Sequence, residues 1–186
     1  MLGLMEKSWY RNLFSRSQDP NRKVAPLSTD SGNAEAQFGL GLKFANGQGV
    51  AQDYVQAADW YRKAAHQSHA LAQFNLGVMY ANGQGVAQDE AQSAVWFGKA
   101  AQQGDAGAQF KLGKSCHRAS FAALSQDAPE ARIEAYKWYR LAAAQGYQGS
   151  AAASTALIFS MTREDVAIGD RRAAAFTATG PKVVAT

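Results

Sequence analysis

Nine consecutive residues of this chain occur twice without change. The block ANGQGVAQD runs from Ala45 to Asp53 and again from Ala81 to Asp89, an offset of 36 residues. The match extends outward on both sides. Ala34, Ala36, Gln37, Phe38, Leu40 and Gly41 recur as Ala70, Ala72, Gln73, Phe74, Leu76 and Gly77, and Trp60, Lys63, Ala64 and Ala65 recur as Trp96, Lys99, Ala100 and Ala101. A third copy opens in register with Ala106, Ala108, Gln109, Phe110, Leu112 and Gly113. Its second half, Trp138-Tyr139-Arg140 with Ala142 and Ala143, follows Trp96 by 42 residues, which places six extra residues between His117 and Glu130. A unit this short cannot bury its own apolar face. Repetition at this period therefore restricts the fold to a stacked array.

The residues within a copy say what is stacked. Ala34, Gln37, Leu40, Gly41 and Phe44 fall at spacings of three and four, one face of an α-helix. A second stretch, from about Asp53 to Ala65, repeats that spacing with Ala57, Trp60, Tyr61 and Ala64, and no strand-like alternation occurs. The connector carries Gly47 and Gly49 (Gly83 and Gly85 in the second copy), which can take positive φ as the chain leaves a helix. Asp53 with Gln56, and Asp89 with Gln92, have the spacing of a helix N-cap. Val50 and Val86 are placed to plug the hairpin end. Gly104 and Asp105 stop one helix and cap the next, with Ser68 and Gly32 at the place of Gly104. Gly41, Gly77 and Gly113 let the paired helices approach closely. Trp60, Trp96 and Trp138 are expected to fill the space between successive hairpins.

The charge argues against a nucleic-acid partner. The net charge is +4, but residues 1–29 hold +3 of it and residues 162–186 hold +1. Residues 30–161 balance ten bases against ten acids, whereas a phosphate-tracking face concentrates Lys and Arg. The opening MLGLMEKSWYRNLF lacks the apolar run of a signal peptide, and Leu2, Met5, Trp9 and Leu13 lie near one face of a short amphipathic helix. With Met1 as the start, this favours the cytoplasm. No apolar run approaches the roughly 20 residues of a membrane span.

Little here calls for catalysis, a cofactor or a metal. His66 and His69 form an H-x-x-H pair at a helix junction with no neighbouring carboxylate or thiol, and read as surface and cap residues. Cys116 and His117 are adjacent on a helix and point about 100° apart, so they cannot pair as nucleophile and base. The single cysteine excludes an internal disulfide. The Gly47–Gly49 loop has no GK[ST] after it and is explained by turn geometry.

These residues resemble the Sel-1-like repeat family, relatives of the tetratricopeptide repeats. Ala34 to Ala65 fits the family pattern with Phe44 in place of a Tyr, and Ala70 to Ala101 fits with Phe97 at the place of Tyr61. The third copy fits at its two ends, has lost the Gly-x-Gly loop and carries Cys116 at an aromatic position. The resemblance spans about 32–146. It implies an all-α, right-handed solenoid of stacked antiparallel hairpins, acting as a non-catalytic adaptor or scaffold, often bacterial, that holds a protein or peptide on a concave wall formed by the first helix of each hairpin. A cysteine-rich extracellular subset associated with β-lactam binding shares only the fold, because its hairpin cysteine pairs are missing here. Two further readings are an enzyme of hydrolase type and an envelope or membrane-associated regulatory protein docked through its arm.

The chain divides accordingly into a basic arm and linker (1–31), three repeats (32–67, 68–103 and 104–145, the last with the insertion), terminal helices forming a cap (146–177) and a tail (178–186). Met161 to Val166 resembles the start of the helix that closes such arrays. Thr162 and Asp165 are expected to cap it, with Asp170, Arg171 and Arg172 on its outer face. Contact positions should vary between copies while core positions hold. The aligned triplets Glu35, Leu71 and Gly107; Gly39, Asn75 and Lys111; and Lys43, Met79 and Ser115 do so, with Asn46, Asn82 and Arg118 at the rim. Asn75, Met79, Asn82 and Lys111 are the candidate partner-binding residues: the amide and ammonium groups can bond a peptide backbone or carboxylate, and Met offers an adaptable apolar contact. Oligomeric state and partner identity are not set by the sequence.

Overall fold

The computed structural model describes residues 32–122 and 127–179. The N-terminal arm with Leu2, Met5, Trp9 and Leu13, the linker, part of the third connector and the end of the tail lie outside the described residues. Within them the chain forms eight α-helices and no strand: α1 (Ala34–Asn46), α2 (Tyr54–His66), α3 (Ala70–Asn82), α4 (Glu90–Gln102), α5 (Ala106–Ala122), α6 (Ala128–Ala144), α7 (Ser150–Ile158) and α8 (Arg163–Thr179). Helix α1 pairs with α2, α3 with α4 and α5 with α6. Successive hairpins meet through α2–α3 and α4–α5, and α7 and α8 both lie against α6. This is a helical solenoid closed by a terminal helix pair.

The duplicated nonapeptide makes the same bonds twice. Gly47 (φ 68°) and Gly83 (φ 67°) cap α1 and α3 in the left-handed region, and their N–H groups donate to the Lys43 and Met79 carbonyls. The Asp53 and Asp89 N–H groups donate back to the Phe44 and Tyr80 carbonyls at 2.9 Å. Asp53 Oδ1 then accepts from the Val55 and Gln56 amides, and Asp89 Oδ1 from the Gln92 amide. The loop thus closes one helix and opens the next with its own atoms. Val50 is 40% exposed, so it does not plug the hairpin end; Val86 is partly buried against the core.

Between hairpins, Gly104 takes φ 91° and Ser68, at the same register, is held at φ 62°. A side chain in that region is strained, and glycine is not. Ser68→Gly is expected to raise unfolding stability by about 0.5–1 kcal/mol, read as a higher urea midpoint at unchanged slope. A lower midpoint would show that Ser68 makes a compensating contact.

Glycine also sets the packing within a hairpin. A Cβ on Gly41 would come 2.5 Å from the Tyr61 ring, and on Gly77 or Gly113 it would come 2.8 Å from Phe97 or Tyr139. The aromatic that fills each hairpin is thus the residue after the Trp. Trp96 packs between hairpins, whereas Trp138 packs against the closing helix α8. Trp96 is 6% exposed against a cluster that includes Ala57, Ala58, Tyr61, Ala64 and Ala65 of α2 in the preceding hairpin, and its ring meets His66 edge-on at 5.6 Å. Trp138 is equally buried and meets Phe176 at 5.5 Å. Trp60, expected in the same role, is only half-buried. No described hairpin precedes it, so no small-residue face receives its ring.

The insertion in the third copy lengthens the helices. Helices α5 and α6 have 17 residues each, against 13 in α1 to α4, and the connector is correspondingly shorter. The closing helix α8 starts on a reciprocal cap, with the Asp165 amide donating to Thr162 Oγ1 and the Thr162 amide to Asp165 Oδ2, both at 3.1 Å. Two residues expected on its outer face reach across an accessible edge to α6. Arg172 reaches Glu130 and Glu134 on α6, at 2.8 Å for Glu134. Asp170 accepts from Tyr136 Oη and Arg140 Nε, both at 3.2 Å. Gly169 draws them in, since the Tyr136 ring lies where its Cβ would be. Arg171 is exposed as expected.

Candidate functional site

The surface to be judged is the row of first helices, α1, α3 and α5. Their starts are fixed by three different caps at one register position. Asn33 Oδ1 accepts from the Glu35 amide (2.9 Å), His69 Nδ1 from the Ala72 amide (3.2 Å) and Asp105 Oδ1 from the Ala108 amide (2.6 Å). His69 also stacks on Phe38 and meets the Glu35 carboxylate through Nε2 at 3.0 Å, which ties α3 to α1. Burial pushes the Asp105 carboxyl above its ordinary range, although the Ala108 and Gly107 amides pull the other way.

A second set of bonds, not foreseen as a structural device from the sequence, locks the hairpins together. Gln37, Gln73 and Gln109 are buried on the first helices. Each accepts from a glutamine just beyond the second helix of its own hairpin: Gln67 at 2.9 Å, Gln103 at 2.7 Å and Gln145 at 2.9 Å. Gln73 and Gln109 also donate to the Ala65 and Ala101 carbonyls of the preceding hairpin, at 3.0 and 3.3 Å. A buried amide needs partners on both its ends. The signal was present: an identical polar residue recurring every 36 positions on an otherwise apolar face.

Against this frame the candidate contact residues separate. Asn75 and Lys111 are both half-buried and hold the same register position on neighbouring helices α3 and α5. Gly39, their counterpart on α1, leaves open space around the position of its missing Cβ. Asn82 is exposed at the end of α3 and donates to Gln84 Oε1 at 3.3 Å. Met79 does not belong with them. It is 5% exposed and part of the interior cluster with Leu76 and Phe38. Its counterparts Lys43 and Ser115 are half-buried. The central hairpin has neighbours on both sides and buries a position that the flanking hairpins leave partly open. Leu71 is 42% exposed, Glu35 is exposed and engaged by His69, and Arg118 is exposed and pairs with Glu90 at 2.7 Å.

No side chains converge for catalysis among those proposed. Cys116 packs beside Tyr139 and Leu157, as a small apolar residue would. Burial, with Glu134 adding, pushes its thiol above the ordinary range, which disfavours the thiolate. Burial likewise pushes the Tyr139 phenol up to about 12. The His117 ring faces Phe121 and the edge of Tyr139. On α2, Gln56, Asp59, Trp60, Arg62, Lys63 and His66 line a shallow depression of about 260 Å³. Its carboxylate is paired with Arg62 at 2.5 Å, and the Lys63 ammonium sits 4.0 Å over the Trp60 ring. Among the described residues no group of three His, Cys, Asp or Glu side chains is placed to hold a metal, and no helix is long and apolar enough to cross a membrane.

Comparison with known proteins agrees with this geometry. A family model described as Sel1 repeat matches residues 34–69, 70–105 and 106–147. Among solved structures, a Sel1 repeat protein from Oxalobacter formigenes is 30% identical with a TM-score of 0.60, over 81% of this chain and 56% of that one. The protein c5321 of uropathogenic Escherichia coli, a protective antigen displaying an SLR fold, is 28% identical with a TM-score of 0.62, over 81% of this chain and 35% of that one. The chain therefore spans little more than half, and about a third, of these two relatives. No curated protein matches it.

Proposed function

The chain belongs to the Sel1 repeat family, whose members are in general protein-interaction modules, and from that premise we propose that it is a non-catalytic adaptor holding a protein or peptide segment along the row α1, α3 and α5. One observation supports this reading above the others. The positions that differ between otherwise repeated hairpins, Asn75 and Lys111 in particular, stand at one register of adjacent helices and are not consumed by the core. The interior is built from the positions that hold, with Ala72 and Ala108, Phe74, Leu76, Ala100 and Ala142 buried. Variation where burial is incomplete is what a contact surface on a fixed scaffold requires.

Asn75 offers two donors and an acceptor, and Lys111 a positive charge, to an extended backbone or a carboxylate. Asn75→Ala with Lys111→Ala is expected to reduce retention of the native partner at least about tenfold in affinity capture, a loss of roughly 1.4 kcal/mol or more. The melting temperature should stay within about a degree, since partly exposed polar positions contribute little to the core. Unchanged retention would reject the surface. Lost retention with a lowered melting temperature would reassign the two residues to the scaffold.

A further inference from the structure

The repeats are neutral as a whole, but their charges are segregated. Of the ten acids in residues 30–161, one, Glu35, lies on α1, α3 or α5, and the His69 ring engages it. Four of the ten bases lie there: Lys43 on α1, and Lys111, Lys114 and Arg118 on α5. The row of first helices is therefore cationic, and most of its charge stands on α5. The six bases of the second helices are engaged within the fold. Arg62, Lys137 and Arg140 pair with Asp59, Glu134 and Asp170, Lys63 and Lys99 lie over tryptophan rings, and Arg132 donates to two backbone carbonyls. Lys114, by contrast, is exposed and makes no ion pair among the described residues.

Lys111, Lys114 and Arg118 follow one another at spacings of three and four, so they share one face of α5 and span about 10 Å of its length. Gly107, one turn earlier on that face, sets it beside α3: a Cβ there would come 3.2 Å from the Phe74 ring. Arg118, at the other end, pairs with Glu90 in the first turn of α4 at 2.7 Å. The stripe thus runs along the second hairpin, whose first helix carries Asn75 at the register of Lys111.

We propose that this stripe selects the adaptor's partner by charge: the segment held on the row α1, α3 and α5 is acidic, with Asp or Glu side chains meeting Lys111, Lys114 and Arg118 while its backbone bonds Asn75. The proposal rests on the adaptor reading and adds the chemistry of the partner. Like charges three and four residues apart oppose one another on a helix, and carboxylates laid across them relieve that repulsion. An extended segment advances about 3.4 Å per residue, so two carboxylates three residues apart reach both ends of the stripe. A nucleic acid fits less well. The cations occupy one helix, and the neighbouring α3 carries no charged residue, whereas a phosphate-tracking face spreads Lys and Arg over its whole extent. Glu90 is the built-in competitor. Its pair with Arg118 is exposed and therefore weak, so a carboxylate of the partner can replace it.

The test is fluorescence anisotropy of the full chain with labelled peptides of alternating Glu and Ser or alternating Gln and Ser. The Glu-Ser peptide should bind, and more weakly as salt rises from about 50 to about 300 mM; the Gln-Ser peptide should bind at least about tenfold less tightly. Lys114→Gln with Arg118→Gln should weaken the Glu-Ser peptide about tenfold at an unchanged melting temperature. Should that variant melt early, Lys114→Gln alone, at an exposed site, must still weaken it. Glu90→Gln should tighten binding about twofold by releasing Arg118, a gain that a merely structural ion pair would not give. Arg171→Gln, exposed on α8, should change nothing. Equal binding of the two peptides, no loss in the Lys114 and Arg118 variants, or tighter binding of a labelled oligothymidylate through the same residues overturns the proposal. Capture of the native partner separates it from the adaptor reading. A partner retained by Lys114→Gln with Arg118→Gln but lost from Asn75→Ala with Lys111→Ala rejects the acidic segment and leaves the adaptor standing, whereas a partner retained by both variants rejects both.

Discussion

Gly85→Ala is expected to cost about 3 kcal/mol of stability, and Gly49→Ala, the same change in the same nonapeptide, only about 1 kcal/mol. Both glycines have positive φ, 69° and 73°, so both variants carry the cost of forcing an alanine into the left-handed region. They differ in what lies outside the turn. A Cβ on Gly85 would run into the Tyr54 carbonyl and come 2.7 Å from the Val55 amide nitrogen, at the start of α2. Neither atom can swing aside, because both are backbone in the first turn of a helix. A Cβ on Gly49 meets nothing within 4 Å. The second connector therefore docks on the preceding hairpin, while the first has no described hairpin to dock on. Urea unfolding of the two variants measures the difference. Equal costs would mean that the turn of the second hairpin does not abut α2.

That pair shows what the sequence makes legible and what it leaves hidden. The repeat period, the hairpins, the Asp53 and Asp89 caps and the positive φ at Gly47 and Gly83 all follow from local chemistry repeated in register. Each copy states the same requirement, so agreement between copies identifies it. What the sequence does not state is the environment that neighbours impose. Identical residues behave differently according to their place in the array: Gly49 is open and Gly85 blocked, and Trp60 is half-buried while Trp96 is enclosed. Leu76, Val78 and Met79 of the central hairpin are buried, whereas Leu40, Leu42 and Lys43 at the same register are only partly so.

The same reasoning explains the candidate site. Variation between copies marks exposure at Asn75, Asn82 and Lys111, each of which the structure leaves at least partly accessible. At Met79 the variation has a different cause. A position flanked on both sides must be filled with apolar volume, and an unbranched thioether adapts to an irregular gap. The reach of Arg172 and Asp170 across to α6 is hidden in the sequence for a related reason. Charged residues read as solvent-facing until the array end supplies opposite charges and a phenol on α6, here Glu130, Glu134, Arg140 and Tyr136.

The second large effect is expected at the tryptophans. Trp96→Ala should cost about 3–5 kcal/mol, as for a buried aromatic whose cavity cannot collapse, whereas Trp60→Ala should cost about 1–1.5 kcal/mol because its ring already meets solvent. The two carry the same local partner, a lysine ammonium 4.1 Å from the Trp96 ring and 4.0 Å from the Trp60 ring, so the cation–π contact cancels from the comparison. What remains is the seat of Trp96 on the alanine face of α2 and the edge of His66. Trp96→Phe should lose less than about 1.5 kcal/mol, since it keeps most of the apolar surface and removes an indole N–H that is buried without a hydrogen-bond partner. Because stability in a stacked array is largely a sum of unit and interface terms, removing the Trp96 seat weakens one interface in particular. Amide exchange in the Trp96→Ala variant should therefore rise in α1 and α2 before it rises in α5 and α6. Uniform acceleration across all hairpins would instead show that Trp96 stabilises the array as a whole, and that the first hairpin is not held chiefly through that ring.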